Sequence, residues 1–479
     1  MPNYAYDRLS VVDNSFLAIE GANSHMHVGA VTVFEAGPLT HPDGGIDVDR
    51  IRDYVASRLH LIPRYRQRLA TVPLGTRLVW VDDDHFNIHY HVRHASLPRP
   101  GDERQLKRLS ARIASQQLDR AKPLWEMWVV EGLEGGRFAL VAKTHHCMID
   151  GLAGVDLMAV LLNPKPGAAI APAPVWIPRP EPSRLALLRY EWLRRLREPL
   201  ALAGEVPCTL VKPLTIVTRV LESVAAVGET LGAAFHQASE TPFNRPIGPH
   251  RRFDWLAMDL DAVKEVKNQL GGTVNDVVLT IVAGALRRFL EQRRINVETL
   301  EIRANVPVSL RSAEERGTLG NRIALWMTEL PVAERDSLRR LSEVRATTAR
   351  LKESKQAMGA EVLAAVSEWT SSTLLALAVQ LSTRSRAFNL VVTNVPGPQI
   401  PLYLLGARLR ECYPMVNLLA NQGLGIALFS YAGRLCWGFM VDWDLVPDLH
   451  EFVCAIEASF AELRDAARAA DGGPDLNPR

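Results

Sequence analysis

Residues 137–162, RFALVAKTHHCMIDGLAGVDLMAVLL, combine two apolar patterns around a short polar motif. Apolar residues dominate and alternate through 138–143, which predicts a short and largely buried strand. Beyond Gly151, apolar residues recur at helical spacing until Pro164 stops them, which predicts a helix. The polar motif that begins at His145 therefore lies at the end of a strand, in a tight connection to a helix.

The motif itself, HHCMIDG at 145–151, has the composition of a base held by a carboxylate. Side chains of adjacent residues on an extended chain point to opposite sides, so only one of His145 and His146 can face a given cleft. Asp150 follows His146 by four residues and is near enough to turn back and orient a ring nitrogen. Gly151 permits the turn and a close approach of substrate. The motif contains no serine that could act as a nucleophile.

Other interpretations of these residues are less well supported by their spacing. Cys147 beside His146 has the composition of a Cys–His dyad, but neighbours on an extended loop seldom meet side chain to side chain. A zinc site that includes Asp150 lacks the same-face helical spacing of HExxH. Four histidines between 85 and 94 fit no standard zinc pattern, and a solvated strand edge explains them better. We therefore predict no metal site.

Length and composition are those of an ordinary globular protein. The chain has 479 residues, 47% hydrophobic and 23% charged, which is enough for two or three domains with their own cores. A formal charge of +2 predicts no nucleic-acid partner. Five cysteines without a CxxC pair indicate free thiols in a reducing compartment. Neither a secretory signal nor the ~18 apolar residues of a spanning helix are found, so we expect a cytoplasmic protein.

A proline-rich stretch divides the chain. Seven prolines between 164 and 183 exclude a helix or an interior strand and predict an extended linker. The following residues, 184–200, place five arginines opposite leucines and a tryptophan, which predicts a basic amphipathic helix. Such a helix can lie peripherally on an anionic membrane face or a lipid inclusion. It can equally pack on the protein with its arginines in solvent, and the sequence leaves both alternatives open.

Predicted strands and helices lie on both sides of this linker, which indicates two α/β layers. The first domain is expected over 1–165, the linker over 166–240 and the second domain over 241–479. The closing strands lie within 423–449 and carry a hairpin turn at 430–433.

Asn275 and Asp276 stand at the start of a long apolar helix predicted within 271–290. Short polar side chains cap the free amides of a first helical turn, and acidic ones suit the helix dipole. The alternative is a role facing a substrate channel. In that case Asn275 is the candidate donor to a tetrahedral oxyanion, and Asp276 is a candidate substrate contact.

Blocks of sequence along most of the chain resemble one family. HHxxxDG at 145–151 is typical of a superfamily that includes chloramphenicol acetyltransferase and condensation domains. Further blocks resemble its bacterial wax ester synthase/acyl-CoA:diacylglycerol acyltransferase branch over roughly residues 7–465. These blocks are Met26–Gly29, Leu118–Arg120, Pro123–Glu126, Asn275–Val277, Val306–Arg311, Leu319–Arg322, Asn394–Pro398 and Ser430–Gly433.

This resemblance implies a fold and an activity. The fold class is α/β (α+β), with two chloramphenicol-acetyltransferase-like domains, each a mixed β-sheet flanked by helices, and a channel between them. The activity is O-acyl transfer from long-chain acyl-CoA to diacylglycerol or a long-chain fatty alcohol, with no cofactor. The runners-up are a condensation-type acyltransferase with a carrier-bound donor and a non-catalytic lipid-surface binding protein.

The resemblance also implies roles for individual residues. His146 is the general base, and His145 gives structural support. Asp150 contacts the His146 ring or, alternatively, pairs with an arginine as scaffold. The block Pro123-Leu124-Trp125 is implied to contact substrate, and the structural alternative is that Trp125 packs under the catalytic loop.

Overall fold

The computed structural model describes residues 6–42, 44–73, 78–148, 160–167, 170, 172–190, 237–309, 323–353 and 386–471. Within these ranges the strands form two mixed six-stranded sheets and one antiparallel three-stranded sheet. The predicted α/β class is therefore confirmed, with mixed sheets in both halves of the chain.

The N-terminal half supplies the elements that lead to the histidine motif. They are β1 Asp7–Arg8, α1 Val11–Ile19, β2 His27–Glu35, α2 Val48–Arg58, β3 Gln67–Thr71, β4 Leu78–Asp82, α3 Ile88–His91, β5 Val92–Ser96, α4 Glu103–Ser115, β6 Trp125–Leu133 and β7 Arg137–His145.

The C-terminal half supplies the second large sheet and the long helices packed on it. Its elements are β8 Arg251–Asp259, α5 Leu260–Leu270, α6 Val274–Gln292, β9 Ile302–Ser309, β10 Ile323–Leu330, α7 Ser337–Glu353, β11 Leu390–Pro396, β12 Tyr403–Leu404, β13 Ala407–Met415, β14 Leu424–Tyr431, β15 Arg434–Asp442 and α8 Leu449–Asp471.

The first large sheet has the strand order β12-β13-β2-β7-β6-β5. Its strands β12 and β13 come from residues 403–415, and β13 pairs antiparallel with β2. This crossover corrects the predicted division into 1–165 and 241–479, because the second half of the chain completes the sheet of the first. Periodicity reveals a strand but not the sheet that it joins, so the crossover could not be predicted.

The second large sheet has the order β10-β9-β11-β14-β15-β8. Its central strands β9, β11 and β14 run parallel, so their carboxyl ends meet at one edge. Helix α6 is buried over most of its length and packs against α7 and α8. An apolar sequence on all sides of a helix is typical of such a core position.

The two large sheets pack directly on each other through β13. Trp255 of β8 stacks on Tyr413 of β13 with ring centroids 4.8 Å apart. A Cβ atom added at Gly438 of β15 would overlap the carbonyl oxygen of Pro414, so only glycine allows the strands to approach this closely. The shared core fixes the position of one sheet relative to the other.

Several predictions based on local periodicity are confirmed, whereas most of the helix predicted between Gly151 and Pro164 lies outside the described residues. The predicted strand at 138–143 lies within β7, and the predicted hairpin turn joins β14 to β15. Ala432 and Gly433, with φ of 45° and 81°, form the two-residue loop expected of a tight hairpin. Residues 172–183 form neither helix nor strand, as the prolines predict.

The prediction of a solvated strand edge within 85–94 is confirmed except at His91, because β5 is the edge strand of its sheet and His85, His89 and His94 are exposed. His91 is buried, and its ring stacks on Trp125 at 4.6 Å and on Phe86 at 5.0 Å. Its Nδ1 lies 2.8 Å from the Trp125 carbonyl oxygen. Because the residues around His91 in the sequence are mostly polar, the sequence does not indicate that the His91 side chain is part of the core.

The predicted basic helix is described over 184–190, which is helical, and the rest of 184–200 lies outside the described residues. Leu187 is buried beside Val79 and Val81 of β4, so this end of the helix packs on the protein. Within the described ranges, no single helix has the length and apolar composition to cross a membrane. Helices α5 and α6 meet that test only as a pair, which bends by 98° at its break.

Candidate active site

The two histidines of the motif lie where β7 ends in a short 3-10 helix, His146–Met148. The backbone N–H of His145 donates to the Leu124 carbonyl oxygen at 2.9 Å, and that of His146 donates to the Met26 carbonyl oxygen at 2.7 Å. The strand end is therefore hydrogen-bonded to chain segments on both sides. Asp150 and Gly151 of the motif lie outside the described residues.

His145 is enclosed in the protein, with 1% of the residue exposed. Its Nδ1 accepts a hydrogen bond from the Cys147 backbone N–H at 3.1 Å, which places the ring proton on Nε2. That Nε2 lies 3.6 Å from Oε1 of Glu20, longer than a hydrogen bond but close enough for electrostatic attraction. The geometry supports the predicted supporting role of this ring, because it holds the turn that carries His146.

His146 has different neighbours and is partly exposed. Its ring stacks on Phe16 of α1, with centroids 3.9 Å apart. Among the described residues, its buried Nδ1 has no hydrogen-bond partner, so Nε2 is the nitrogen that can meet a substrate. Enclosure by protein lowers the pKa of His146 to about 4, because the charged form loses hydration. The imidazole is therefore neutral near pH 7 and able to accept a proton.

Cys147 does not provide a nucleophile. The residue is buried, and burial raises the pKa of its thiol well above the ordinary value, as do the charges of Asp13 and Glu20. A reactive cysteine needs a lowered pKa. Within the described ranges, no group of three histidine, cysteine or acidic side chains is placed to hold a metal ion.

Glu20, at the end of α1, is the acidic group beside the histidines that the sequence did not reveal. Its Oε1 accepts from the Met26 backbone N–H at 3.4 Å, and its Oε2 accepts from Nε of Arg120 at 3.0 Å. Burial would raise the pKa of Glu20, but the His145 and Arg120 side chains lower it well below its usual range. A negative charge at a helix C-terminus interacts unfavourably with the helix dipole. The position of Glu20 directly after α1 is therefore the feature of the sequence that could have indicated a special role for this residue.

The loop that follows Glu20 joins the two halves of the molecule beside the histidines. Asn23 Nδ2 donates to the Ile247 carbonyl oxygen at 3.1 Å, and Ser24 Oγ donates to the Leu418 carbonyl oxygen at 2.8 Å. The guanidinium of Arg251 donates to the Asn23 carbonyl oxygen. The His146 end of β7 therefore lies near the junction of the two sheets.

The three residues Pro123, Leu124 and Trp125 are buried under the strand end. Trp125 Nε1 donates to the Tyr65 carbonyl oxygen at 2.8 Å, so the polar atom of the indole is satisfied within the protein. These surroundings favour the packing alternative for Trp125, and substrate contact by this block stays a prediction.

Both carboxylate oxygens of Asp276 accept hydrogen bonds at the start of α6. Oδ2 accepts from the backbone N–H and the hydroxyl of Thr273 at 2.7 and 2.8 Å, and Oδ1 accepts from Thr348 Oγ1 at 2.7 Å. Thr273 and Asp276 form a capping box. The residue is 3% exposed, which supports capping over the predicted contact with substrate.

Asn275, one residue earlier, is partly exposed. Its Oδ1 accepts a hydrogen bond from Nδ2 of Asn394 at 2.9 Å. The blocks Asn275–Val277 and Asn394–Pro398, distant in sequence, therefore meet at the beginning of α6.

Comparisons with known proteins agree with this geometry. The profile of the wax ester synthase/diacylglycerol acyltransferase catalytic domain matches residues 9–278, and that of the family's C-terminal domain matches 319–464. A putative diacylglycerol O-acyltransferase of Mycobacterium tuberculosis is 35% identical over 97% of this chain and 91% of its own length. A probable diacylglycerol O-acyltransferase of the same species is 34% identical over 95% of this chain and 98% of its own.

Solved structures show the same architecture. The wax ester synthase/diacylglycerol acyltransferase from Marinobacter aquaeolei VT8 has a TM-score of 0.70 and 26% identity, covering 96% of this chain and all of that one. The starter condensation domain of rhizomide synthetase has a TM-score of 0.57 at 12% identity, over 99% and 98% of the two chains, and shares the fold.

The paired mixed sheets and their match to the solved structures place the chain in the two-domain chloramphenicol-acetyltransferase-like fold class. Within that class, the chain belongs to the wax ester synthase/diacylglycerol acyltransferase family.

Proposed function

We propose that the protein transfers a long-chain acyl group from acyl-CoA to the hydroxyl of diacylglycerol or of a long-chain fatty alcohol. The observation that carries the proposal is the position of His146 directly after β7, where its buried Nδ1 leaves Nε2 to meet the hydroxyl. The family and the names of the mycobacterial relatives supply the substrate class.

The reaction is a direct transfer between two bound substrates. As the hydroxyl oxygen attacks the thioester carbonyl, its proton passes to Nε2 of His146, and a tetrahedral oxyanion forms. The carbon–sulfur bond then breaks, and the imidazolium returns the proton to the departing thiolate. General-base catalysis of this kind contributes on the order of 10²–10⁴-fold, and no covalent enzyme intermediate is required.

Asn275 is the proposed donor to the oxyanion. A side-chain amide has one accepting oxygen and one NH2 group. Because Asn394 occupies the oxygen of Asn275, the NH2 group is the part left to donate. One preorganised donor of this type lowers a barrier by roughly 3–4 kcal/mol.

The experiment that tests this function uses the purified protein with palmitoyl-CoA and measures the released CoA thiol. Dioleoylglycerol and hexadecanol are offered in parallel, with a no-acceptor control. We expect thiol release that depends on an acceptor, with triacylglycerol or wax ester as the product. Transfer solely from an acyl-carrier protein to an amine would instead favour a condensation-type enzyme. Lipid binding without turnover would favour a non-catalytic protein.

We also propose that the protein docks on a lipid surface through the linker. Trp176 turns inward, where the Arg66 guanidinium lies 5.0 Å from its ring. On an extended chain, the side chains on either side of Trp176 point away from the protein when Trp176 points into it. These side chains, Val175 and Ile177, are 90% and 80% exposed. Arg179, hydrogen-bonded to Asp82, fixes the segment so that both apolar side chains are held outward.

Replacing both side chains in Val175→Ser/Ile177→Ser should weaken binding to phosphatidylglycerol-containing vesicles by about fivefold or more. Inserted aliphatic side chains contribute about 1.5–3 kcal/mol each when fully buried, and an interface buries part of them. Vesicle flotation measures the change. Ile400→Ser, at another exposed isoleucine (53%), is the matched control and should float as the wild type does. Equal flotation of both variants and the wild type would exclude this docking surface.

A further inference from the structure

The contact between Asn275 and Asn394 lies where an α/β sheet is best placed to bind ligands. Strands β11 and β14 run parallel, and Asn394 stands near the carboxyl end of β11. Helix α6 begins at the same edge, with Asn275 in its first turn. In open α/β sheets, ligands bind outside the carboxyl ends of the strands.

The backbone of Asn275 is held independently of its side chain. Thr273 and Asp276, which lie on either side of Asn275 in the sequence, begin α6 with a capping box, and Thr348 of α7 donates a hydrogen bond to the Asp276 carboxylate. The amide of Asn275 is therefore carried on a fixed turn. What remains to be set is the direction in which its oxygen and its NH2 group point.

Asn394 sets that direction. Its Nδ2 donates to Oδ1 of Asn275 at 2.9 Å, and both residues are partly exposed. Within the described part of the chain, the NH2 group of Asn275 makes no hydrogen bond of its own. The pair thus presents an unused donor at the edge where substrate is expected. If the amide rotated by half a turn, it would present an oxygen, which repels a developing oxyanion.

We propose that Asn394 is a positioning residue for acyl transfer. By donating to the oxygen of Asn275, it keeps the NH2 group of Asn275 directed at the thioester carbonyl. The inference rests on the proposed function, in which Asn275 stabilises the oxyanion. Asn394 itself does not touch the reacting atoms.

Asn394→Asp is the sharpest test, because it keeps the shape of the side chain and replaces its donor by a carboxylate. The carboxylate attracts the NH2 group of Asn275 and turns its oxygen toward the substrate. We expect kcat to fall by about 10²–10³-fold, as for Asn275→Ala, with KM changed by less than about threefold. Steady-state kinetics with palmitoyl-CoA and dioleoylglycerol measure both constants.

A double-mutant cycle separates positioning from a general effect on structure. If Asn394 acts through Asn275, adding Asn394→Asp to Asn275→Ala should lower kcat by no more than about twofold. Asn268→Asp, on the exposed face of α5, introduces the same charge and should retain wild-type kinetics. Circular dichroism and thermal unfolding verify that each variant is folded.

Two outcomes would overturn the inference: near wild-type kcat for Asn394→Asp, or losses that multiply in the double variant. If Asn394→Asp does not fold, Asn394→Ser takes its place. A serine hydroxyl still donates but is shorter, so a loss of about tenfold is expected, again absent in the Asn275→Ala background. A wild-type enzyme without acyl transfer refutes the proposed function itself, whereas an active wild type with an indifferent Asn394 refutes this inference alone.

Discussion

His146→Ala is expected to lower kcat for acyl transfer by about 10²–10⁴-fold, the contribution of a general base. The variant removes the imidazole that we propose as the acceptor of the proton of the attacking hydroxyl. KM should change little, because the ring accepts the proton during the reaction and does not bind the acyl chain. Thiol release from palmitoyl-CoA in the presence of dioleoylglycerol measures the loss.

A surface histidine provides the matched control for this substitution. The side chain of His41 is 49% exposed and lies 3.8 Å from Asp47. His41→Ala should therefore keep wild-type kinetics. If His146→Ala retained more than about a tenth of the wild-type kcat while remaining folded, the base would have to be another residue.

The pH dependence provides an independent readout of the same imidazole. Burial lowers the pKa of His146 to about 4 in the folded protein, against an ordinary value of 6.5. A base is active when deprotonated, so kcat/KM should fall as the pH drops through about 4 and stay level from about 5.5 to 8. An enzyme whose rate halves near pH 6.5 would contradict the lowered pKa.

The folded state must be monitored across that acidic range. His146 and His91 both have a pKa lowered to about 4 by burial, so the unfolded chain binds more protons than the folded one between about 4 and 6.5. The free energy of unfolding therefore falls as the pH drops through this window. Circular dichroism at each pH distinguishes loss of the base from loss of the fold.

Local patterns predicted those parts of the fold that depend on local interactions. The strand before His145, the helix after Asn275 and the tight hairpin at 430–433 follow from periodicity and turn chemistry. The transfer of residues 403–415 to the other sheet depends on which edge is unpaired in the assembled molecule. A single sequence does not contain that information.

The candidate site shows the same division between local and non-local information. His146 was predicted because its motif is contiguous, whereas Glu20 lies 126 residues earlier and meets the motif only after β2 pairs with β7. Asn275 and Asn394 each belong to a block that resembles the family, but the sequence does not predict the hydrogen bond between them, which the structure shows. For Asp276, the local pattern of a capping acid accounts for the contacts with Thr273 but not for the hydrogen bond from Thr348 of α7.

Glu20→Gln is expected to lower kcat by about 10–100-fold, because displacing a catalytic group by about 1 Å can cost that much. The two carboxylate oxygens face separate donors: Met26 N–H and the His145 ring on one side, and Arg120 on the other. An amide has one accepting oxygen, so its NH2 group must face one of these donors. The strand end carrying His146 then shifts. Steady-state kinetics measure the effect.

Arg120→Gln separates this positioning role from the loss of an ion pair. This variant removes the ion pair between Arg120 and Glu20 but leaves the Glu20 carboxylate beside His145. The Arg120 side chain is 43% exposed but that of Glu20 is only 1% exposed, so Arg120→Gln leaves a buried carboxylate without its cation, and urea unfolding should show a loss of roughly 1–3 kcal/mol. We expect kcat of Arg120→Gln to stay within about threefold of the wild type. Arg120→Gln keeps the Glu20 carboxylate beside His145, whereas Glu20→Gln removes it. Equal losses of kcat in the two variants would therefore contradict the positioning role of this carboxylate, because the loss of the ion pair alone would explain both.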